Sequence, residues 1–484
     1  MLWAYGSYAG GRILVLLTMI ILARQLTPAD FGLVALALIF ITVLETIGDL
    51  GATASLVIAD ERDLPEQADT AWTFTVLVGF VLSVMTALLS PFAASAFGEP
   101  QLTGVLAALG LIFFLRSLGL AHYALAQRRL DFRSRTKAEL ADISVRGIVG
   151  IGLALGGFGV WSLVASYLIG ALTSTVMLWR LVDWRPSLRL NRPLLRTQLR
   201  FGGPLTADSI LWAVSVSVDR AFVGPVLGAA ALGLYVMASR LPDLLISNLS
   251  MIASRVLFAA YARMDREAMI QAFLLSTRYT LLLALPLGVG LAALADPLVH
   301  ALFGSKWAPA VPAMQALTIY AVAVTLAVPS GTVYKALRRA DMLLVFTVPR
   351  LVALVMALVL FSDQGILAVA LCQAVTSVAA DLAAAAVASH MLQVPLRRIG
   401  AAVWPPVVVA FGVGVVLVPV ERLIASPGLA LLAGTLAGGA AYALLAWLTA
   451  RDSILALIRA VVGTAGKPGG DVMRIAPDAG SGGV

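Results

Sequence analysis

Apolar runs long enough to cross a bilayer recur from residue 3 to residue 449, separated by short polar stretches. A spanning helix needs about 20 predominantly apolar residues. The pattern predicts fourteen spans: roughly 3–23, 33–57, 71–93, 103–125, 140–160, 161–181, 203–224, 231–256, 277–299, 310–334, 342–362, 365–388, 401–420 and 428–449. A transmembrane barrel would alternate with a period of two over about ten residues. The expected fold class is therefore an all-α polytopic membrane protein.

The polar stretches sort by charge. QRRLDFRSRTK, RLVDWRPSLRLNRPLLRTQLR, KALRRAD and VPLRRIG fall on one side if the chain alternates, whereas GGFGVWS, GPVLGAA, FGSKWAP and FSDQG fall on the other. Lys and Arg in short loops set membrane orientation, so both termini are expected in the cytoplasm. The acidic cytoplasmic loop ADERDLPEQAD (59–69) does not conflict, because acidic residues weigh little in that rule.

The chain also repeats. LTPADFGLVALA (26–37) aligns without gaps on LGAAALGLYVMA (227–238), FGEPQL (97–102) has a counterpart in FGSKWA (303–308), and YALAQRRLD (123–131) in YKALRRAD (334–341). Six spans per copy gives both copies one orientation, so a pseudo-two-fold axis along the membrane normal is expected. The expected division is a six-helix lobe at 1–182, a basic linker at 183–200, a second six-helix lobe at 201–392, two additional helices at 393–450, and a tail at 451–484 that is first amphipathic and then disordered.

Composition sharpens this picture. Hydrophobic residues make up 60% of the chain and charged residues 12%, against about a quarter charged in soluble domains. The net charge of +8 lies in the loops and needs no nucleic acid to explain it. Cys372, the single cysteine, sits in an apolar run as a small filler. The segment GTAGKPGG lacks the spacing of a phosphate-binding Walker loop. There is no HExxH, no clustered set of metal ligands and no large extramembrane loop to house an enzyme site, so no catalytic residue, metal or cofactor is expected.

What remains to explain is charge inside the spans. In LETIGDLG, Glu45 and Asp49 stand four residues apart and so share a helix face. Each charge in hydrocarbon costs roughly 2.5–3.5 kcal/mol on an insertion scale, and intramembrane charges nearly always face a bundle interior or a wet cavity. Arg12, Glu45, Asp49, Arg116 and Arg146 crowd the first half and are read as cavity-lining, with Arg12 held at mid-membrane by Glu45 and Asp49. In the second half, matched depth pairs Asp219 with Arg240, as a helix-to-helix clamp or a coupling pair. Asp142 is expected to pair with Arg146 one turn on; Asp243, after Pro242, to satisfy freed backbone; Arg220, Arg255 and Arg278 to snorkel; and His122, His300 and His390 to be ordinary interfacial residues. The Asn248–Ser250 sequon lies within a span and is put down to chance.

LARQLTPADFGLVALA (22–37), DRAFVGPVLGAAALGLYVMASRLPDL (219–244) and LFGSKWAPAVPAMQAL (302–317) resemble the Wzx-type (WzxC-like) bacterial polysaccharide flippases. These share a superfamily with the MATE drug exporters and the lipid II flippase MurJ. The resemblance implies two lobes alternating around a central cavity in the cytoplasmic membrane. It implies a substrate in which an oligosaccharide hangs from a polyprenyl pyrophosphate, with membrane lipids and other polysaccharide assembly proteins as further partners. Arginine binds such an anion bidentately. Arg12, Arg116 and Arg146 are the expected counterparts of the family's cavity arginines, and Glu45 and Asp49 would hold them or titrate with a coupling ion, H+ or Na+. Relatives carry a short basic segment before the first span, so the natural start is expected upstream of Met1 or the segment absent. Two rivals stand beside the flippase: a MATE-type drug or cation antiporter, which needs an anionic cavity with few arginines, and a non-transporting scaffold, which needs no matched charges at depth.

Overall fold

A computed structural model describes residues 2–49, 51–247, 261, 264–339, 341–424 and 426–465. Asn248–Ser250, Arg255, Met1 and the tail beyond Ala465 lie outside the described residues. Within them the chain is helical and contains no strand. The first half holds α1 (Leu2–Gln25), α2 (Pro28–Asp49), α3 (Ala52–Ile58), α4 (Leu64–Ala96), α5 (Leu102–Arg128), α6 (Phe132–Leu155) and α7 (Val160–Leu181). The second holds α8 (Arg192–Ser215), α9 (Val218–Pro242) with a π turn at Asp243–Ser247, α10 (Arg266–Ala293), α11 (Ala295–Leu302), α12 (Val311–Ala336), α13 (Asp341–Phe361) and α14 (Ile366–Leu392); α15 (Leu396–Leu423) and α16 (Pro427–Ala465) follow.

Local chemistry sets several starts. Thr27 Oγ1 accepts from Asp30 N at 3.2 Å while Asp30 accepts from Thr27 N at 2.8 Å, a reciprocal cap around Pro28 that opens α2. Asp131 opens α6 by accepting from Ser134 N at 3.1 Å, and Asp265 opens α10 by accepting from Ala268 N at 2.8 Å.

Eleven segments among the described residues are long and apolar enough to cross a membrane. The helices α1, α6 and α8, in the places of expected spans 1, 5 and 7, are not among them. Charge dilutes two of these: α6 carries Arg133, Arg135, Lys137, Glu139, Asp142 and Arg146, and α8 carries Arg192, Arg196 and Arg200. The helix α9 counts once but is two arms. Gly228, at φ 85° and ψ 171°, breaks it. The Tyr235 hydroxyl donates to Asp219 across 2.7 Å, whereas residues sixteen apart on a straight helix would stand about 24 Å apart. The chain therefore doubles back at Gly228, between expected spans 7 and 8. Two other boundaries moved. The helix α8 begins at Arg192, inside the expected linker, and the amphipathic segment after residue 450 continues α16 rather than standing apart.

Helices pack closely through small residues, as in membranes generally. Between α4 and α5, Ser83 Oγ donates to Gly110 O at 2.8 Å and accepts from Phe114 N at 3.2 Å. The helix α1 lies on α6, where a Cβ at Gly147 would come 2.6 Å from Thr18 Oγ1. Large apolar side chains stay exposed around the outside, among them Leu88, Phe92, Ile148, Phe411 and Leu436; a soluble monomer rarely shows so much.

The two ends differ. At the arginine-rich end the acidic loop holds the basic linker: Ser187 bonds Asp69, Asn191 Nδ2 donates to Glu66 Oε1 at 2.8 Å, and Gln198 Nε2 donates to Gln67 O at 3.1 Å. That gives the acidic residues at 59–69 a structural task. At the opposite end, residues from both halves meet around Arg24, Gly32, Gly228 and Trp307.

Candidate substrate cavity between the two halves

Glu45 and Asp49 do share a face of α2. With Gly48, Thr75, Gly79, Arg116 and Ser117 they line a niche of about 120 Å³ between α2, α4 and α5. The ion pair there is Arg116 with Glu45, at 2.6 Å, each side chain 38% exposed. Asp49 accepts from Thr53 N at 3.0 Å and from Thr53 Oγ1 at 2.6 Å, so it caps α3 across the turn at Gly51. The expected grip of both carboxylates on Arg12 is corrected accordingly. Matched depth does not make two helices neighbours: α1 packs on α6, and Arg12 is an exposed position on it.

Arg146 and Asp142 pair one turn apart on α6 at 2.9 Å, as expected, and are 27% and 20% exposed. The guanidinium of Arg146 also stacks over the Tyr167 ring, 4.4 Å from its centroid. Gly170 makes room on α7, since a Cβ there would sit 2.3 Å from Asp142 Oδ1. Arg146 faces a second cavity, of about 210 Å³, whose walls come from both halves. Thr18, Phe31, Ser166 and Tyr167 contribute from the first half, and Val236, Met237 and Arg240 from the second. One arginine from each half thus lines a single space.

The expected Asp219–Arg240 pair does not form. Asp219, only 8% exposed, accepts from the Tyr235 hydroxyl at 2.7 Å and from Arg220 N at 2.8 Å. The reversal at Gly228 sets the level of the facing residues, and it brings Tyr235 opposite Asp219 while Arg240 faces the cavity. Arg220 stands 3.9 Å from Asp243, so Arg220 is more than an interfacial anchor and Asp243 more than a backbone filler. Farther on, Ser377 Oγ donates to Asp381 at 2.8 Å and accepts from Arg350 at 3.4 Å. His122 is fully buried, stacked on Trp179 at 4.9 Å and edge-on to Trp184 at 5.0 Å, rather than interfacial.

Tyr167, Tyr235 and Thr53 had no distinguishing signal in the sequence. An aromatic or hydroxyl residue in a span is as common in plain packing as beside a charge. Among the described residues no group of three His, Cys, Asp or Glu gathers as a metal site. What the cavity offers is two lining arginines, one from each half, Arg146 being held by a carboxylate and a ring. Such planar forks suit a phosphate-type anion.

Known proteins are similar to this chain in sequence or in architecture. Residues 21–312 match the family described as polysaccharide biosynthesis protein. The succinoglycan biosynthesis transport protein ExoT of Rhizobium meliloti (strain 1021) is 30% identical over 321 residues, 66% of this chain and 64% of that one. The chain therefore spans just under two thirds of that relative's length. The lipopolysaccharide biosynthesis protein WzxC of Escherichia coli (strain K12) is 26% identical over 341 residues, covering 69% of this chain and 68% of that protein. Among solved structures, the lipid II flippase MurJ in an inward closed conformation superposes with a TM-score of 0.75, at 14% identity, over 94% of this chain and all of that one. An inward-facing multidrug resistance MATE family transporter of the MOP superfamily gives 0.61 at 16% identity, over 79% of this chain and 94% of that one. By sequence this chain belongs to the polysaccharide biosynthesis protein family, and its fold is the one shared by the MurJ and MATE transporters.

Proposed function

We propose that this protein moves an oligosaccharide linked to a polyprenyl pyrophosphate from the inner to the outer leaflet of the bacterial cytoplasmic membrane, by alternating access of its two halves. The observation that carries this is the inter-half cavity with Arg146 on one wall and Arg240 on the other. A pyrophosphate held between them would join the halves through its own charge, so binding is coupled to their relative position. The relatives named for succinoglycan and lipopolysaccharide biosynthesis support a glycan as cargo. The cavity, at about 210 Å³, is smaller than the roughly 300–1,000 Å³ that holds a drug-sized ligand. It takes a charged headgroup but not a sugar chain, so the halves must part during transport. Asp142 balances Arg146 when no anion is present, as Glu45 balances Arg116 in the neighbouring niche. Both termini and the basic loops lie on the cytoplasmic side.

The test is export of a surface glycan in a strain lacking the gene, complemented with variants whose membrane level is measured in parallel. Arg240→Ala, and Arg146→Ala combined with Asp142→Asn so that no partner charge is stranded, should each sharply lower export at near-normal protein level. Full export from both would refute the assignment of the cavity. A drug-efflux phenotype without a glycan phenotype would transfer the protein to the antiporter class.

A further inference from the structure

The end of the bundle remote from the basic loops is closed by contacts that repeat across the two halves. A Cβ placed on Gly32 would lie 1.7 Å from the carbonyl oxygen of Ala229, and one on Gly233 would lie 1.8 Å from that of Pro28. No real Cβ tolerates either distance, so two backbones touch there because both glycines lack side chains. The pairing is reciprocal in the internal repeat. The register that sets Leu26 on Leu227 also sets Pro28 on Ala229 and Gly32 on Gly233. Each glycine therefore meets the counterpart of the residue that its own counterpart meets, as in a two-fold self-complementary interface.

Around this seam the halves exchange hydrogen bonds at helix termini. Arg24 donates to Leu302 O at 3.0 Å and to Ala301 O, at the end of α11. Lys306 Nζ donates to Arg24 O at 2.9 Å and Trp307 Nε1 to Ala23 O at 2.8 Å, at the end of α1. Glu99 Oε1 accepts from Ala229 N at 3.1 Å, the first residue after the break in α9. The Phe31 ring meets Trp307 edge-on at 5.4 Å and also lines the inter-half cavity, as do Leu22 and Met237.

We propose that Gly32 and Gly233 are positioning residues of the transport cycle: they form the gate that closes the Arg146–Arg240 cavity toward the outer side. This rests on the transport reading for its purpose but not for its measurement. The physics suits a contact that opens and closes. The terminal N–H and C=O groups it uses have no partner within their own helices, and water can satisfy them when the halves part. A glycine-to-backbone seam releases without any side chain having to change rotamer. Packed interfaces of this kind switch between discrete arrangements rather than deform gradually.

The experiment uses a reporter thiol beneath the seam. Met237→Cys in a Cys372→Ser background places the only cysteine in the cavity. Its labelling by a membrane-impermeant maleimide, added to either face of sealed vesicles, reports access without any cargo. Gly32→Ala and Gly233→Ala should each speed labelling from the face opposite the basic loops at least tenfold. Gly152→Ala, at a position where a Cβ meets nothing within 4 Å, should not. If either seam variant fails to accumulate, Arg24→Ala, an exposed position whose loss removes only the cross-half bonds, should still speed labelling severalfold. Parental labelling rates in accumulated variants overturn the gate, even if export is lost, because that combination marks a merely structural contact. Faster labelling together with a cargo other than a glycan would leave the gate standing and overturn only the proposed substrate.

Discussion

Arg146 offers a prediction in which structural and transport roles separate. Arg146→Ala removes three things: the 2.9 Å pair with Asp142, the stack on Tyr167, and a guanidinium facing the cavity. It also leaves Asp142, 20% exposed, as an uncompensated charge within the bundle, a burden of about 2.5–3.5 kcal/mol on the insertion scale before water in the cavity relieves it. Part of any phenotype in the single variant is therefore lower protein level. Arg146→Ala with Asp142→Asn removes both charges and that burden, so the level should recover. Export should not. A charge-assisted hydrogen bond is worth about 1.5–3 kcal/mol. With tenfold per 1.4 kcal/mol, transport of the proposed pyrophosphate-linked cargo at subsaturating supply should fall roughly ten- to a hundredfold. Arg146→Lys keeps the charge and loses the fork, and should fall between. The assay is complementation of glycan export normalised to membrane protein, supported by uptake of labelled lipid-linked oligosaccharide into proteoliposomes. Recovery of both level and export in the double variant would show that Arg146 serves only to neutralise Asp142, and would refute the reasoning.

Other outcomes follow from single contacts. Tyr235→Phe deletes the hydroxyl that serves the buried Asp219 and should lower stability by about 1–3 kcal/mol; unchanged thermal unfolding in detergent would show that the Arg220 N–H alone suffices for Asp219. Asp131 outside the spans is held below the usual carboxylate range by the hydrogen bonds from Ser134. Because its folded value is depressed, its contribution is present above the unfolded value and is lost as pH falls through the folded one. Asp131→Ala should therefore flatten the decline of the melting temperature below about pH 4, and an unchanged acid slope would deny Asp131 that role. A reporter fused after Arg189 should behave as cytoplasmic and one after Ser305 as periplasmic, and the opposite pattern at either site would overturn the orientation. Glu45→Gln leaves Arg116 in place and should impair export less than Arg116→Ala; the reverse order would mean that the carboxylate carries the coupling ion, H+ or Na+.

Membrane character, the large number of spans and the family were legible in the chain itself, because the bilayer acts on one-dimensional quantities: the length of apolar runs and the side on which arginines fall. The shared face of Glu45 and Asp49 was legible for the same reason, since helical period is local, and so was the Asp142–Arg146 pair within one turn. Partners on different helices were not. Arg116 rather than Arg12 reaches Glu45, and Tyr235 rather than Arg240 reaches Asp219. Depth along a helix can be counted from the sequence, but which helices are neighbours, and how each is rotated, is decided by packing. Here α1 lies against α6, and the chain doubles back at Gly228, a residue that looks like any other loop glycine. The repeat of Gly32 in Gly233 was visible as a pattern. That the two meet at the end remote from the basic loops, each on the other half's backbone, is a property of two folded copies placed face to face, which no single stretch of sequence contains.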